Sequence, residues 1–149
     1  MPYPQTAGDL MQFICSCQWF ADAIPCFGEI ISPLRRILEI HLKGSAKRTK
    51  RAASRIPISS WNQDDRVAFD AVRNALIKSV TLACPDTSKV LYIFLDASKR
   101  FWNIFITQVP AEDVGLHYPL QCHEPIAFHG GEFKNSALHW SMLEKEAFP

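Results

Sequence analysis

The hydrophobic pattern of this 149-residue chain changes period at about residue 90, and that change constrains its fold more than any other feature. Before this point, apolar residues recur every three or four positions, as they do on one face of an α-helix. After it, they form short runs rich in β-branched and aromatic residues, as in β-strands. The sequence therefore predicts a helical first half and a sheet-forming second half, an α/β composition that is α+β in overall arrangement.

Three helices are predicted in the first half. One apolar stripe begins at Leu10 and ends before Pro25, since the residue preceding a proline avoids the helical region. A second stripe spans residues 30–42, where Pro33 either kinks the helix or lies in its first turn. A third helix is predicted to run to about Ser79.

Helix starts are marked by side chains that accept hydrogen bonds from the free N–H groups of the first turn. The capping box, a Ser or Thr followed three residues later by an acid or amide, is the most specific of these patterns. It predicts a final helix that begins after Ser141, with Glu144 as the reciprocal acceptor. The other candidate caps are Thr6 or Asp9 for the first helix and Ser60 or Asn62 for the third.

Three strands are predicted in the second half, at residues 90–95, 101–109 and 125–129. The first of them is apolar throughout, which predicts a strand that is buried on both faces. The final helix begins shortly after the third strand and has barely started when the sequence stops at residue 149.

A basic segment lies between the second and third helices. Residues 40–63 contain no acid, although the whole chain has a formal charge of only +1. Clustered Lys and Arg release counterions from a nucleic-acid backbone, so this segment is a candidate phosphate-binding strip. The alternative is a solvated, flexible connector. Its six cations are Lys43, Lys47, Arg48, Lys50, Arg51 and Arg55.

Composition excludes several classes of protein. No apolar run is long enough for a membrane span, and the N-terminus lacks the pattern of a secretion signal. We therefore expect an intracellular protein, with the choice between nucleus and cytoplasm left open. The five cysteines include no Cys-x-x-Cys pair, which favours reduced thiols packed as small apolar side chains over disulfides or a zinc site.

Asp96 is the most informative single residue, because it ends an apolar strand where an unpaired carboxylate is costly to bury. One interpretation is a turn cap at residues 96–98. The other is a cation site shared with a second acid on the final helix. Glu144 is assigned to the capping box, which leaves Glu146 as the better inward ligand. Hard oxygen ligands suit Mg²⁺ or Mn²⁺.

The second half of the chain carries an ordered set of short motifs: Tyr92–Ser98, Trp102, Thr107-Gln108, His123–Phe128, Gly130–Lys134, Trp140-Ser141 and Glu144–Ala147. Taken in order, these motifs resemble the RNase H region of long-terminal-repeat retrotransposon polyproteins of the Ty3/gypsy type. The resemblance extends upstream, where residues near Trp19 and Pro33 resemble the end of a reverse transcriptase thumb and those near Trp61 resemble the connection into RNase H.

The resemblance implies a nuclease that cuts the RNA strand of an RNA–DNA hybrid, within a polyprotein that also copies RNA into DNA. Asp96 matches the first-strand aspartate and Glu146 the helix glutamate of a site that holds two Mg²⁺ ions. The later aspartates of the family have no counterpart in this sequence. We therefore expect weak Mg²⁺ or Mn²⁺ binding and little or no activity from this chain. The implied partners are an RNA–DNA hybrid and the rest of the polyprotein, and no membrane is expected.

Four segments follow from this interpretation: a thumb-like helical hairpin at 1–44, a basic linker at 45–60, a connection helix at 61–89, and a truncated RNase H-like domain at 90–149 with three antiparallel strands and the start of a helix. The alternative function is a non-catalytic remnant that binds nucleic acid or a partner protein through its helical, basic half. Tryptophans at positions 61, 102 and 140 either stack on bases or pack in the core, and their spacing favours the core.

Overall fold

The computed structural model describes residues 2–45 and 49–148. They form two compact units, one made of residues 2–20, 29–45 and 49–78 and the other of residues 21–28 and 79–148. The first unit is helical and the second contains the sheet. Within the described ranges, no helix combines the length and the apolar character needed to cross a membrane.

The helices agree with the predicted ones in number and order where the structure describes them, with one short addition. Pro33 lies inside the second helix, so that helix begins well before the proline. The addition is a single turn within the basic segment. The helices are α1 (Ala7–Gln18), α2 (Phe27–Leu42), α3 (Lys50–Ala53), α4 (Gln63–Ile77) and α5 (Met142–Glu146), with short 3₁₀ turns at Ala21–Ala23, Ala111–Asp113, Tyr118–Leu120 and Asn135–His139.

Reciprocal capping boxes begin three of these helices, and each satisfies backbone N–H groups that have no partner within the helix. Thr6 caps α1, with Asp9 as its reciprocal acceptor. Asn62 caps α4, so the earlier candidate Ser60 is not its cap. The predicted capping box of Ser141 with Glu144 is confirmed at the start of α5.

Aromatic rings fill the core of the helical unit. Phe69 of α4 is fully buried, and its ring centroid lies 4.7 Å from that of Phe13 and 5.2 Å from that of Tyr3. Trp61 packs 5.6 Å from Phe69 and donates its indole N–H to the carbonyl of Pro4 at 2.9 Å. Offset and tilted aromatic pairs of this kind stabilise a core beyond their buried area.

The sheet is antiparallel, with the strand order β1-β2-β3. Strand β1 spans Val90–Ala97, β2 spans Phe101–Val109 and β3 spans Glu124–Glu132. This result confirms the predicted mixed fold with three antiparallel strands followed by the start of a helix. A register shift next to Ile106 and Thr107 introduces a bulge between β2 and β3.

The prediction that β1 is buried on both faces is wrong. Leu91, Ile93 and Leu95 lie on one face of the strand, and each of these residues exposes 49–56% of its surface to solvent. Helix α5 packs against β1, and Ala97 at the end of the strand is buried. An apolar strand sequence shows that both faces of the strand can be buried. Each face becomes buried only where another element packs against it.

The cysteines also differ from expectation. Only Cys17 is buried, and its burial raises the pKa of the thiol to about 11. Cys15, Cys26, Cys84 and Cys122 are exposed. No disulfide joins the five cysteines, all of which the structure describes, and packing as a small apolar residue describes Cys17 alone.

Candidate functional site

Asp96 lies near the end of β1, directly opposite Asn103 of β2 in the antiparallel register. Its side chain is exposed and lines a cavity of about 220 Å³ together with Asn103, His129 and three phenyl rings, those of Phe94, Phe105 and Phe128. The cost of burying an unpaired carboxylate, which drew attention to Asp96 in the sequence, therefore does not arise in the structure.

The turn-cap interpretation of Asp96 is not supported by the hydrogen bonds of the β1–β2 turn. Ser98 closes this turn: its N–H donates to the carbonyl of Phe101 at 2.8 Å, and its hydroxyl accepts from the N–H of Phe101 at 3.1 Å. Within the described residues, the carboxylate of Asp96 has no recorded hydrogen bond. Asp96 is therefore available to a ligand rather than committed to the turn.

Glu146 is the last residue of α5 and is exposed. Its neighbour Lys145 is buried and anchors the helix, because its ammonium group donates to the carbonyl of Lys99 at 2.8 Å and to that of Leu138 at 3.1 Å. Lys99 belongs to the turn that follows β1. The anchor thus attaches the helix bearing Glu146 to the end of the strand that bears Asp96.

Glu144 has the separate role that the sequence assigned to it. Its carboxylate accepts hydrogen bonds from the backbone N–H of Ser141 at 2.7 Å and from the hydroxyl of Ser141 at 2.8 Å. These bonds hold the pKa of the Glu144 carboxyl below its ordinary value, because they favour the ionised acceptor. Glu144 is therefore a helix cap, and Glu146 remains the predicted ligand on α5.

The donors present do not make a complete metal centre. Across residues 2–45 and 49–148, no group of three or more His, Cys, Asp or Glu side chains is arranged to hold a metal ion. Asp96 and Glu146 supply two carboxylates of the hard-oxygen type that Mg²⁺ prefers. The assignment of this pair as metal ligands stays a prediction, and two carboxylates alone do not satisfy the octahedral coordination of Mg²⁺.

The third strand extends beyond its predicted end at residue 129 and brings two glycines into this region. Strand β3 continues through Gly130 and Gly131 to Glu132. A Cβ atom on Gly130 would lie 2.6 Å from the Oδ1 atom of Asn103, and one on Gly28 would lie 2.9 Å from the backbone of Gly131. Adjacent glycines within a strand pattern are the signal for such close approach, and they leave room for the Asn103 side chain opposite Asp96.

Four of the six cations in the basic segment fall within the described residues, and all four are exposed. Arg51 and Arg55 lie four positions apart and line a cavity of about 270 Å³ with Thr49 and Ala52. Neither guanidinium forms an ion pair with another described residue. The four described cations are Lys43, Lys50, Arg51 and Arg55, while Lys47 and Arg48 lie outside the described residues.

The chain around this cavity is folded rather than a free connector. Thr49 caps α3 by accepting from the N–H of Ala52, and the N–H of Ala7 in α1 donates to the carbonyl of Ile56 at 2.9 Å. A Cβ atom on Gly8 would lie 2.8 Å or less from three atoms of Ser54. The two arginines therefore project from a backbone that is fixed against α1.

Three of the four tryptophans, Trp61, Trp102 and Trp140, pack on protein rings, whereas Trp19 is 89% exposed. Trp61 belongs to the core of the helical unit, as described above. In the sheet unit, the ring centroids of Trp102 and Trp140 lie 5.8 Å and 5.5 Å from that of Phe148. Phe133 completes this cluster at 5.7 Å from Phe148. These contacts favour core packing over base stacking for Trp61, Trp102 and Trp140.

Comparison with known proteins places this arrangement in a class. Residues 61–149 match the family described as the RNase H-like domain found in reverse transcriptase. The chain is 27% identical over 108 residues to the Pol polyprotein of Feline endogenous virus ECE1, and 26% identical over 108 residues to the Gag-Pol polyprotein of Baboon endogenous virus (strain M7). Each match covers 72% of this chain but only 9% and 5% of the respective polyproteins.

Solved structures of similar fold come from foamy virus. The protease-reverse transcriptase in complex with an RNA/DNA hybrid superposes with a TM-score of 0.71 at 20% identity, and covers 98% of this chain and 17% of that one. The same enzyme in complex with dsDNA gives a TM-score of 0.68 at 22% identity, with 97% and 25% coverage. At this level of identity the likeness establishes the fold.

The fold and the family match together define an RNase H-like module of the retroelement polyprotein type. More particularly, the chain belongs to the family of RNase H-like domains found in reverse transcriptase. It spans less than a tenth of the curated polyproteins that it matches.

Proposed function

We propose that this chain is the thumb-to-RNase H portion of a reverse transcriptase polyprotein of the Ty3/gypsy type, and that its own activity is to hold an RNA–DNA hybrid by the phosphate backbone. The observation that carries the proposal is the cavity between Arg51 and Arg55. The two guanidinium groups are exposed, lie four residues apart on a fixed backbone and have no acidic partner among the described residues, so they suit the oxygen atoms of a phosphate.

The contact would be independent of base sequence. Arginine and lysine side chains that meet phosphates position a nucleic acid without reading its bases. Trp61, Trp102 and Trp140 pack against protein rings, so these three side chains are not free to stack on bases. Their packing supports contact with the phosphate backbone. Foamy virus protease-reverse transcriptase, which has a similar fold, was solved in complex with an RNA/DNA hybrid.

In the whole polyprotein, Asp96 and Glu146 would contribute two ligands to a divalent metal site. The metal, when bound, would supply activation of water and stabilisation of the leaving oxygen in hydrolysis of the RNA strand. Lys145 would serve this site indirectly, because its hydrogen bonds to Lys99 and Leu138 hold α5 at the end of β1. With two carboxylates alone, the isolated chain would bind the hybrid without cutting it.

Hybrid binding is testable by fluorescence anisotropy with a labelled RNA–DNA duplex over a range of salt concentrations. The double variant Arg51→Gln/Arg55→Gln removes both guanidinium charges from the cavity. We expect weaker binding for every duplex sequence and a salt dependence whose slope falls by about 2, since each phosphate contact contributes about 0.9 to that slope.

Lys134→Gln is the matched control, because Lys134 is exposed and lies outside the basic segment. It removes one positive charge from the sheet unit and should leave the slope nearly unchanged. Equal losses per charge removed in the control and in the double variant would show that only net charge matters, which would refute a specific phosphate contact at Arg51 and Arg55.

A further inference from the structure

Thr49 lines the same cavity as Arg51 and Arg55. The residue is exposed, and its backbone is extended, with φ −95° and ψ 151°. Its Oγ1 atom accepts a hydrogen bond from the N–H of Ala52 at 3.3 Å. Among the described residues, no acceptor is recorded for its hydroxyl proton. The hydroxyl group is therefore accessible to a modifying enzyme, and it shares one cavity with two guanidinium groups.

Ser54, the other hydroxyl residue of this folded segment, has different surroundings. Its hydroxyl group donates a hydrogen bond to the carbonyl of Lys50 at 2.9 Å. Its Oγ atom also lies against α1, only 2.3 Å from the position that a Cβ atom on Gly8 would take. The hydroxyl of Ser54 is thus committed to the fold, whereas that of Thr49 is not.

The sequence around Thr49 is positively charged on both sides. Basic residues occupy the two positions before it and the two positions after it, namely Lys47, Arg48, Lys50 and Arg51. Protein kinases select substrates partly by the pattern of charge around the target hydroxyl, and one class requires basic residues on both sides. Residues 40–63 contain no acid that would oppose such recognition. The segment therefore has the charge pattern of a substrate for a basophilic serine/threonine kinase.

We propose that Thr49 is a phosphorylation site and that its phosphate group, paired with Arg51 and Arg55, closes this cavity to a nucleic-acid backbone. The second part rests on the function proposed above. A phosphorylated threonine carries a charge of about −1.5 to −2 at neutral pH and three strong acceptor oxygens. Arginine binds such oxygens through two parallel N–H groups. Because neither guanidinium pairs with an acid among the described residues, both are able to bind the new phosphate.

The modification is a phosphoryl transfer from ATP. The Oγ1 atom of Thr49 forms a bond to the γ-phosphorus while the bond from that phosphorus to the bridging oxygen breaks, which releases ADP. The hydroxyl proton passes to the catalytic aspartate of the kinase. The product holds its phosphate beside the two arginines, at the place that a backbone phosphate would otherwise occupy. Phosphorylation therefore removes the contact that is independent of base sequence.

The first experiment identifies the modified hydroxyl. The full chain is incubated with Mg-ATP and the catalytic fragment of protein kinase C, a basophilic kinase, and the phosphorylated position is located by tandem mass spectrometry. We expect the phosphate on Thr49. Thr49→Val should abolish the modification, whereas Ser54→Ala, the matched control, should leave it unchanged. No phosphorylation, or phosphate on Ser45 or Ser54 with Thr49 unmodified, would overturn the proposal.

The second experiment tests the pairing without any nucleic acid. Phosphothreonine is encoded genetically at position 49 of the full chain, so that changes at Arg51 and Arg55 do not affect kinase recognition. The ³¹P resonance is then titrated with pH. Nearby positive charges favour the dianion, so the second ionisation should lie below its usual pKa of about 6. It should return to about 6 in Arg51→Gln/Arg55→Gln and stay low in Lys134→Gln. Identical titrations in all three proteins would contradict the pairing.

The third experiment measures the effect on hybrid binding by fluorescence anisotropy. Phosphothreonine at position 49 should weaken binding about eightfold for each lost contact at about 0.1 M salt, and the salt slope should fall by about 2. In Arg51→Gln/Arg55→Gln, which already lacks both contacts, the phosphate should have a much smaller effect. Equal losses in the two backgrounds would overturn the closing of the cavity. A chain that does not bind the hybrid, but whose ³¹P titration depends on the arginines, would refute the proposed function and support the pairing.

Discussion

The ammonium group of Lys145 in α5 donates a hydrogen bond to the backbone carbonyl of Lys99, 46 positions earlier in the chain, over 2.8 Å. A second hydrogen bond, to the carbonyl of Leu138, measures 3.1 Å. Lys145 is buried, with a relative exposure of 3%. Hydrogen bonds to a buried charge are among the stronger ones in proteins. This single side chain therefore joins a short helix to the turn between β1 and β2.

Lys145→Met tests that role. Methionine keeps the length of the side chain but leaves two carbonyls without their donor, which costs about 1–3 kcal/mol for buried groups. Urea denaturation should show a loss of this size in the free energy of unfolding. The same replacement at exposed Lys134 should change it by no more than about 0.5 kcal/mol; similar effects at both positions would mean that the anchor contributes nothing.

Gly8→Ala probes the contact that fixes the basic segment. The added methyl group would lie 2.3 Å from the hydroxyl oxygen of Ser54 and 2.7 Å from its backbone nitrogen, and the backbone has to move. Although alanine gains about 1 kcal/mol of helix propensity over glycine, we expect a net destabilisation of about 1–3 kcal/mol from overpacking.

The control for this experiment is Gly115→Ala, where nothing lies within 4 Å of the new methyl group. That variant should unfold at nearly the same denaturant concentration as the wild type. If Gly8→Ala were as stable as Gly115→Ala, the close approach of α1 to Ser54 would not exist in solution.

The ionisation of Glu124 predicts how the stability of the folded chain changes with pH. Its hydrogen bonds to Lys89 (2.5 Å) and Gln108 (2.9 Å) hold the pKa of the carboxyl below its ordinary value of 4.5. A group whose pKa is lowered by folding contributes stability above its unfolded pKa, and this contribution is lost as the pH falls through the folded pKa. The wild type should therefore lose stability as the pH falls below about 4.5.

Glu124→Gln removes this titration. Compared with the wild type, it should be less stable at neutral pH and should lose less stability on acidification, as measured by urea midpoints at several pH values. Asp86 and Glu144 also have lowered pKa values, so the informative quantity is the difference between the two proteins. Parallel pH profiles would contradict a specific role for Glu124.

Hydrolysis by the isolated chain should be absent. In an assay with a labelled RNA–DNA hybrid and Mg²⁺ or Mn²⁺, we expect cleavage at background for both the wild type and Asp96→Asn, because two carboxylates hold the ion poorly. Cleavage well above background that disappears in Asp96→Asn would show instead that this chain carries a working catalytic centre.

Local features were predictable from the sequence because their causes are local. The boxes Thr6–Asp9 and Ser141–Glu144 each join residues three apart, and a hydrogen bond over that distance needs no tertiary contact. The three strands follow from the same kind of pattern. The resemblance to RNase H regions of retroelements rested on the order of several such motifs, and the family match to residues 61–149 confirms it at the level of the retroelement polyprotein.

Features that depend on distant partners escaped prediction. Lys145 has the appearance of an ordinary surface lysine in the sequence, and only its two carbonyl partners make it a buried anchor. Likewise, the pattern predicts that the third strand ends at residue 129, whereas Gly130 and Gly131 lie within β3 at close contacts with Asn103 and Gly28.

The sequence by itself determined which segments become helices and strands, since side-chain periodicity and capping act within a few residues. Tertiary structure alone decided which surfaces are covered. It left the aliphatic face of β1 half exposed, and it fixed Arg51 and Arg55 on a folded backbone rather than on a loose connector. The physical reason is that a surface is buried only when a second surface packs against it. The sequence of one segment does not specify which other segment will cover it.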